Sequence, residues 1–206
     1  MLEHGADSNA EYSFEKWNPK KSAIIHKEVF SPLKQAIQSQ FQPALDLILK
    51  PEYKVNLSHI VENESPLLYA VKVGYGVESL LAAGADPNQV WKNQTDTPLS
   101  QAVRSGKATA IVALLTKGAL VNTPVCYQDE LIQVNRETPL HIALKNQDAV
   151  ALALGLLLDA GANPAIPFQY VINNRQYDVP YTEICTSQEC RELLAARHQK
   201  PSCLTM

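Results

Sequence analysis

The stretch TPLHIA, Thr138 to Ala143, decides how the rest of the chain is interpreted. A threonine caps a helix through its side-chain oxygen, and a proline fits the first helical turn because its missing N–H would have no partner there. The same [ST]-P-L step recurs several times along the chain. Its further copies begin at Ser31, Ser65 and Thr97, with a weaker copy at Val179. A recurring capped helix start predicts a repeat architecture rather than one isolated helix.

Each step leads into a leucine-rich second helix with a common ending. The endings read LLAAGADPN, LLTKGALVN and LLDAGANP. Gly84, Gly118 and Gly161 supply the left-handed residue that ends each of these helices. The prolines of successive steps lie 34, 32, 41 and 41 residues apart, so a divergent array of repeats is expected.

This pattern resembles the ankyrin repeat family, whose T-P-L-H-x-A signature Thr138 to Ala143 carries almost letter for letter. The resemblance covers the chain from about Ser31 to Ala196. It implies an all-α fold, an ankyrin-like repeat solenoid of helix-turn-helix units with extended hairpin finger loops. It also implies that His141 has a structural role in its repeat rather than a catalytic one.

Three parts are expected along the chain. Residues 1–30 form a partial N-terminal repeat or cap with a long finger, because LEHGADSN at residues 2–9 resembles the tail of a second helix. Residues 31–196 form the repeat array, and residues 197–206 form a flexible tail. The units of the array are expected near 31–64, 65–96, 97–137 and 138–178, with a cap at 179–196. A start inside a repeat is expected either for a piece of a longer protein or for a half-repeat that serves as the cap.

Three of the connections between repeats are enlarged, and two of them alternate like strands. These are VCYQDELIQV at residues 125–134 and PFQYVINNRQYDV at residues 167–179. Asn173 and Asn174 are the predicted turn of the second, because asparagine tolerates positive φ. Long loops on a rigid scaffold carry a disproportionate share of binding residues, so the fingers are the first place to expect a partner.

Two sets of residues are therefore predicted to bind a partner. The finger set is Trp17, Trp91, Tyr127, Phe168, Tyr170 and Arg175. The groove set is Tyr69, Gln101 and Ile142, followed one turn later by Lys72, Arg104 and Lys145. Tyrosine and tryptophan are enriched in interface hot spots, and the three cations in register are predicted to face an acidic partner segment. The alternative is that the aromatic rings pack on their own repeats and the cations are ordinary solvated positions.

Composition and motifs disfavour several other classes of function. The 206 residues carry a net charge of −3, which gives no broad cationic face for nucleic acid. No glycine-rich phosphate loop, metal-ligand spacing or nucleophile–base pair is recognisable, so neither an enzyme nor a cofactor is expected. No transmembrane run or secretory signal is visible, and the four cysteines form no CxxC pair. A cytoplasmic location with reduced thiols is the expectation.

The last four residues, CLTM at 203–206, resemble a prenylation signal of the farnesyl type. Thr205 departs from the aliphatic residue usual at its position. Cys203 is the predicted lipidation site, and membrane association is expected only if it is prenylated.

The chain is accordingly interpreted as a non-catalytic, monomeric module that binds a protein partner through its fingers and concave groove. Divergent repeats with long fingers also look similar to ankyrin-type effectors that intracellular bacteria deliver into host cells, which would place the chain in the host cytosol. Two alternatives stay open: the substrate-targeting region of a larger enzyme, and a scaffold tethered to a membrane through Cys203.

Overall fold

The computed structural model describes most of the chain. It covers residues 10, 12–18, 23–58, 64–90, 96–128, 133–145, 150–185, 188, 191–192 and 194–195, with the first two strands described by their backbone. These residues belong to two compact units, residues 1–93 and residues 94–206. Among them, no helix has both the length and the apolar character that crossing a bilayer requires.

The described part of the first unit contains one hairpin and two helix pairs. Strands β1 (Tyr12–Asn18) and β2 (Ala23–Phe30) pair antiparallel, with a bulge between Lys16 and Trp17. The helices are α1 (Pro32–Gln38), α2 (Gln42–Ile48), α3 (Pro66–Val73) and α4 (Val77–Ala82), with a 3₁₀ turn at Pro51–Tyr53 after α2. Each pair therefore begins at one of the [ST]-P-L steps.

In the residues that the structure describes, the second unit contains two longer helix pairs, one further short helix and a sheet. The helices are α5 (Pro98–Arg104), α6 (Ala108–Thr116), α7 (Pro139–Lys145), α8 (Val150–Asp159) and the short α9 (Tyr181–Ile184). The strands are β3 (Val125–Gln128), β4 (Gln133–Glu137), β5 (Phe168–Ile172) and β6 (Arg175–Val179). All four strands are antiparallel neighbours in the order β3-β4-β5-β6, so two successive fingers share one sheet.

The first helices begin as the sequence predicts. The side-chain oxygens of Ser31, Ser65 and Thr97 accept hydrogen bonds from the backbone N–H three residues later, at 3.2, 3.2 and 3.0 Å. Each of these bonds satisfies one of the N–H groups that a helix start leaves without an intrahelical partner. The predicted capping function of the [ST]-P-L step is confirmed at these three copies.

The second helices end in the same hydrogen-bonded motif. Gly84, Gly118 and Gly161 have φ of +96°, +85° and +89°. The N–H of the residue after each glycine donates to the carbonyl of a leucine four residues before the glycine, and all three distances are 2.9 Å. This is the Schellman ending of a helix. The leucines, Leu80, Leu114 and Leu157, are fully buried, so one position both ends the helix and fills the core.

In the second unit, an asparagine ties consecutive helix endings together. The amide of Asn122 donates to the carbonyl of Gly161 at 3.2 Å, and its oxygen accepts from the N–H of Asn163 at 2.8 Å. The final asparagine of one repeat thus bonds to the ending of the next.

The structure corrects the expected all-α class. The fold is mostly helical, but the enlarged fingers form true strands, including the four-stranded sheet. The two segments that alternate like strands are confirmed as hairpins, and Asn173 and Asn174 form the turn at φ of +50° and +60°. The physical reason is that the backbone N–H and C=O groups of long fingers form hydrogen bonds by strand pairing. Short loops are not long enough to pair in this way. The solenoid arrangement of the repeats stays a prediction.

A substitution at Gly118 tests the helix ending without a packing change. A Cβ built at this residue has no atom within 4 Å, so the cost of Gly118→Ala is the left-handed φ alone. We expect the free energy of unfolding to fall by about 1–2 kcal/mol, measured by urea denaturation. Gly118→Asn is the control and should cost less, because asparagine tolerates this conformation. Equal stability of the alanine variant and the unchanged chain would contradict the assignment.

Candidate functional site

Three repeats carry an ion pair at the same two positions. An acid stands directly before the capping serine or threonine, and a base stands eight residues later in the last turn of the first helix. The pairs are Glu64 with Lys72, Asp96 with Arg104 at 3.1 Å, and Glu137 with Lys145 at 2.7 Å. Because the first helix is about two turns long, the base lies on roughly the same side of the helix as the acid, and its long side chain extends back toward the helix start to reach it.

In the second unit, two of these pairs join into one network. Arg104 also contacts Glu137, with Nη2 and Oε2 3.3 Å apart. The carboxylate of Glu137 is only 1% exposed, whereas the side chains of Arg104 and Lys145 are 39% and 40% exposed. We refer to Asp96, Arg104, Glu137 and Lys145 as the charge ladder. Its two acids and two bases sum to no net charge.

Both oxygens of the buried carboxylate at the centre have a cationic partner. Oε1 accepts from Lys145 and Oε2 accepts from Arg104. Burial disfavours the charged form of Arg104, but Asp96 and Glu137 outweigh it and raise the pKa of the guanidinium above its ordinary value. An isolated charge at this depth would cost several kcal/mol. The ladder is therefore a structural element as well as a surface.

The ladder surrounds an open hollow of about 280 Å³, lined by Arg104, Glu137, Ile142 and Lys145. Ile142 is 3% exposed and belongs to the core. It contributes apolar surface to the lining of the hollow, and the other three lining residues are charged.

A series of aromatic rings continues from the ladder across the sheet. Phe168 and Tyr170 have ring centroids 5.6 Å apart, and Tyr170 stacks on Tyr177 at 5.2 Å with 15° between the ring planes. We refer to Phe168, Tyr170 and Tyr177 as the aromatic column. Lys145 joins it to the ladder, because its Nζ lies 3.7 Å from the centroid of Phe168. Cation–π attraction is favourable at this distance.

The strand register explains the column. Tyr170 lies opposite Tyr177, and Phe168 lies opposite Val179. Residues two apart on one strand, and residues directly opposite on the next, share a face of the sheet. Burial falls along the column, from Phe168 at 8% exposed to Tyr177 at 42%. The outer tyrosine is therefore the ring most accessible to a partner.

His141 is buried behind Phe168, with 5.8 Å between the two ring centroids. Its Nδ1 accepts from the N–H of Thr138 at 3.0 Å, so its remaining proton is on Nε2. Burial lowers its pKa, and an interaction with the backbone of Ile166 partly offsets this effect. The histidine therefore satisfies a backbone N–H at the start of the first helix of its own repeat.

The other predicted binding residues have varied surroundings. Gln101 donates from Nε2 to the hydroxyl of Ser105 at 2.9 Å, and Lys34 lies 5.2 Å above the ring of Tyr69. Arg175 is exposed at the start of β6. Trp17 and Tyr127 are described by backbone only, in β1 and β3. Trp91 and Cys203 lie outside the described residues.

A family model for ankyrin repeats, in three copies, matches residues 67–167. The chain is an ankyrin repeat protein. A search among curated proteins finds no match. Ankyrin repeats are generally protein-protein interaction modules and are typically non-catalytic. Within the described part of this ankyrin repeat protein, no cluster of histidine, cysteine, aspartate or glutamate has the geometry of a metal site.

The acids of the ladder are the functional residues that sequence reasoning missed. Lys72, Arg104 and Lys145 were interpreted as a stripe facing an acidic partner, but each has a carboxylate partner within the chain. A signal was present in the sequence, because an acid precedes the cap in all three repeats. A partner's carboxylate would have to compete with Glu64, Asp96 or Glu137 for these cations.

Glu137→Gln tests the ladder. The substitution removes the charge that holds Arg104 and Lys145, and we expect the free energy of unfolding to fall by about 1–3 kcal/mol. Glu64→Gln is the matched control, because Glu64 holds the equivalent pair at 24% exposure. It should cost about 0–1 kcal/mol, as surface pairs do. Denaturation curves that show equal losses would contradict a special role for Glu137.

The buried histidine predicts a pH dependence of stability. The pKa of His141 is lowered in the folded state, so the unfolded chain binds its proton first as the pH falls. The contribution is complete above the ordinary value of 6.5 and decreases as the pH falls below it. We expect His141→Asn, whose side-chain oxygen can replace Nδ1 as acceptor, to flatten the stability profile between pH 6.5 and about 5.5, above the main range of carboxylate titration. Melting at stepped pH measures this, and parallel profiles would refute it.

Proposed function

We propose that this ankyrin repeat protein binds a protein partner through the aromatic column and the adjacent hollow of the second unit. The observation that supports this most directly is the stacked pair Tyr170 and Tyr177, whose outer ring is 42% exposed. A tyrosine fixed in one orientation by stacking offers a large contact area at little cost in conformational entropy. Tyr177 is the proposed anchor of the interface.

The charge ladder contributes to this surface in a different way from the aromatic rings. Its cations already have intramolecular partners and its net charge is zero, so it provides little general attraction for an acidic segment. A partner must match its alternating charges to avoid leaving one unpaired. The ladder is therefore proposed to determine which partner is accepted, and the column to provide affinity.

The finger hairpin is ordered by strand pairing within the chain itself. Five register pairs join β5 and β6, and β5 is further paired to β4. A pre-ordered hairpin loses little freedom when a partner docks. This supports recognition on a preformed surface rather than folding of the finger on contact.

The proposed surface is compatible with three wider roles of the chain. The module acts as a monomer in the cytoplasm, and its partner belongs to a host cell if the chain is an effector. The same surface would serve a substrate-targeting region of a larger enzyme, or a scaffold held at a membrane through prenylated Cys203. All three use the second unit as the site of contact.

Quantitative affinity capture tests the proposal. We expect Tyr177→Ala to retain much less of a captured protein than the unchanged chain, since truncation of an interface anchor typically costs about 2 kcal/mol or more. Phe41→Ala is the matched control, because Phe41 is a 57% exposed aromatic residue in the first unit. Equal melting temperatures of the variants are confirmed first. Equal capture by Tyr177→Ala and the unchanged chain would place the site elsewhere.

A further inference from the structure

Strand β6 lies at the outer edge of the four-stranded sheet. It pairs with β5 on one side, and among the described residues no strand pairs with its other side. Four of its five residues, Arg175 to Asp178, are exposed. An edge with these properties presents main-chain donors and acceptors to another chain.

The turn determines which backbone groups face outward. In a hairpin with a two-residue turn at positive φ, the residues that flank the turn form a hydrogen-bonded pair. Here these residues are Ile172 and Arg175. The pattern alternates from there, so Tyr177 and Val179 also direct their N–H and C=O toward β5. Gln176 and Asp178 direct theirs away from the sheet.

We propose that β6 accepts an extended segment of the partner protein as a fifth, antiparallel strand. This inference rests on the proposed function, because it names the form of the partner at the same surface. Two N–H and two C=O groups, from Gln176 and Asp178, form the new main-chain hydrogen bonds. Strand addition of this kind takes affinity from the main chain and specificity from alternate side chains.

The side chains of β6 specify the chemistry of the added strand. A partner residue opposite Tyr177 lies on the column face, where an aromatic or β-branched side chain pairs well with tyrosine. Two residues further along, a partner acid lies opposite Arg175. The partner residue just before the one opposite Tyr177 lies on the other face, opposite Asp178. The Asp178 carboxylate accepts one bond from Gln176 at 3.1 Å and has room for a cation. The expected segment is a base, then an aromatic or β-branched residue, then any residue, then an acid.

A second copy of this chain fits the edge less well. A symmetric antiparallel pairing that keeps the faces aligned can place Tyr177 opposite its own equivalent. Arg175 then lies opposite Val179, and Asp178 lies opposite Gln176. Neither charge meets its opposite, so a heterologous segment with the charge pattern above is favoured.

The experiment uses the full chain and a phage-displayed library of random peptides of about ten residues. We expect enrichment of the base, apolar, any, acid pattern. Binding of the enriched peptide is then compared between Gln176→Pro and Gln176→Ala. Proline removes the outward N–H and blocks the edge, but leaves the bonds to β5, since that N–H does not serve them. Alanine keeps the N–H, so it is the matched control.

We expect Gln176→Pro to weaken binding roughly tenfold or more and Gln176→Ala to change it by less than about twofold. N-methylation of the peptide gives a test that does not alter the protein. A methyl group on the residue opposite Gln176 should abolish binding, and one on the residue opposite Tyr177 should be tolerated.

The possible outcomes separate the two proposals. No enriched peptide, or equal binding by Gln176→Pro with no alternation in the N-methylation series, overturns strand addition. If Tyr177→Ala still loses the captured protein in that case, the proposed interaction surface stands and only the added strand is refuted. If Tyr177→Ala binds every peptide as the unchanged chain does, the proposed function itself fails. A concentration-dependent dimer that Gln176→Pro abolishes would overturn the heterologous partner in favour of a second copy.

Discussion

The arrangement of the second unit depends on one buried carboxylate. Glu137 ends β4, precedes the cap of α7, and binds cations from the last turns of α5 and α7. At 1% exposure it would be too costly as an unpaired charge. Its two partners therefore stabilise it. Because they belong to α5 and α7, the same contacts hold the sheet against these two helices at a defined position. Every ring of the aromatic column projects from the sheet that this contact fixes.

The elements that depend on neighbouring residues could be predicted from the sequence. The caps at Ser65 and Thr97, the helix endings at Gly84 and Gly118, and the turn at Asn173 and Asn174 each follow from the chemistry of a few adjacent positions. Contacts between distant residues could not be predicted in the same way. Arg104 and Glu137 are 33 residues apart, and no local pattern distinguishes this pair from two solvated surface charges.

The sheet illustrates the same division. Each hairpin was visible in the alternation of its own residues, but the pairing of β4 with β5 joins two different fingers. That pairing exists because consecutive repeats place their fingers side by side, and because both fingers are long enough to meet. The column lies within the β5–β6 hairpin, and the pairing of β5 with β4 leaves β6 as the edge of the sheet. Phe168 and Tyr170 were thus predicted from the sequence as binding residues, while Tyr177 and the surface that the three rings form were not.

The turn of Asn173 and Asn174 gives the finger a further property. With two residues in the turn, Tyr177 lies on the column face and Gln176 presents its backbone to the open edge. Because side chains alternate along a strand, one inserted residue that keeps a two-residue turn and so shifts the register of β6 by one would exchange these positions throughout β6. The helices, the caps and the buried carboxylate would remain as they are. A single codon could thus give the same scaffold a different recognition face, which makes the finger a place where new binding specificity can evolve at little cost to folding.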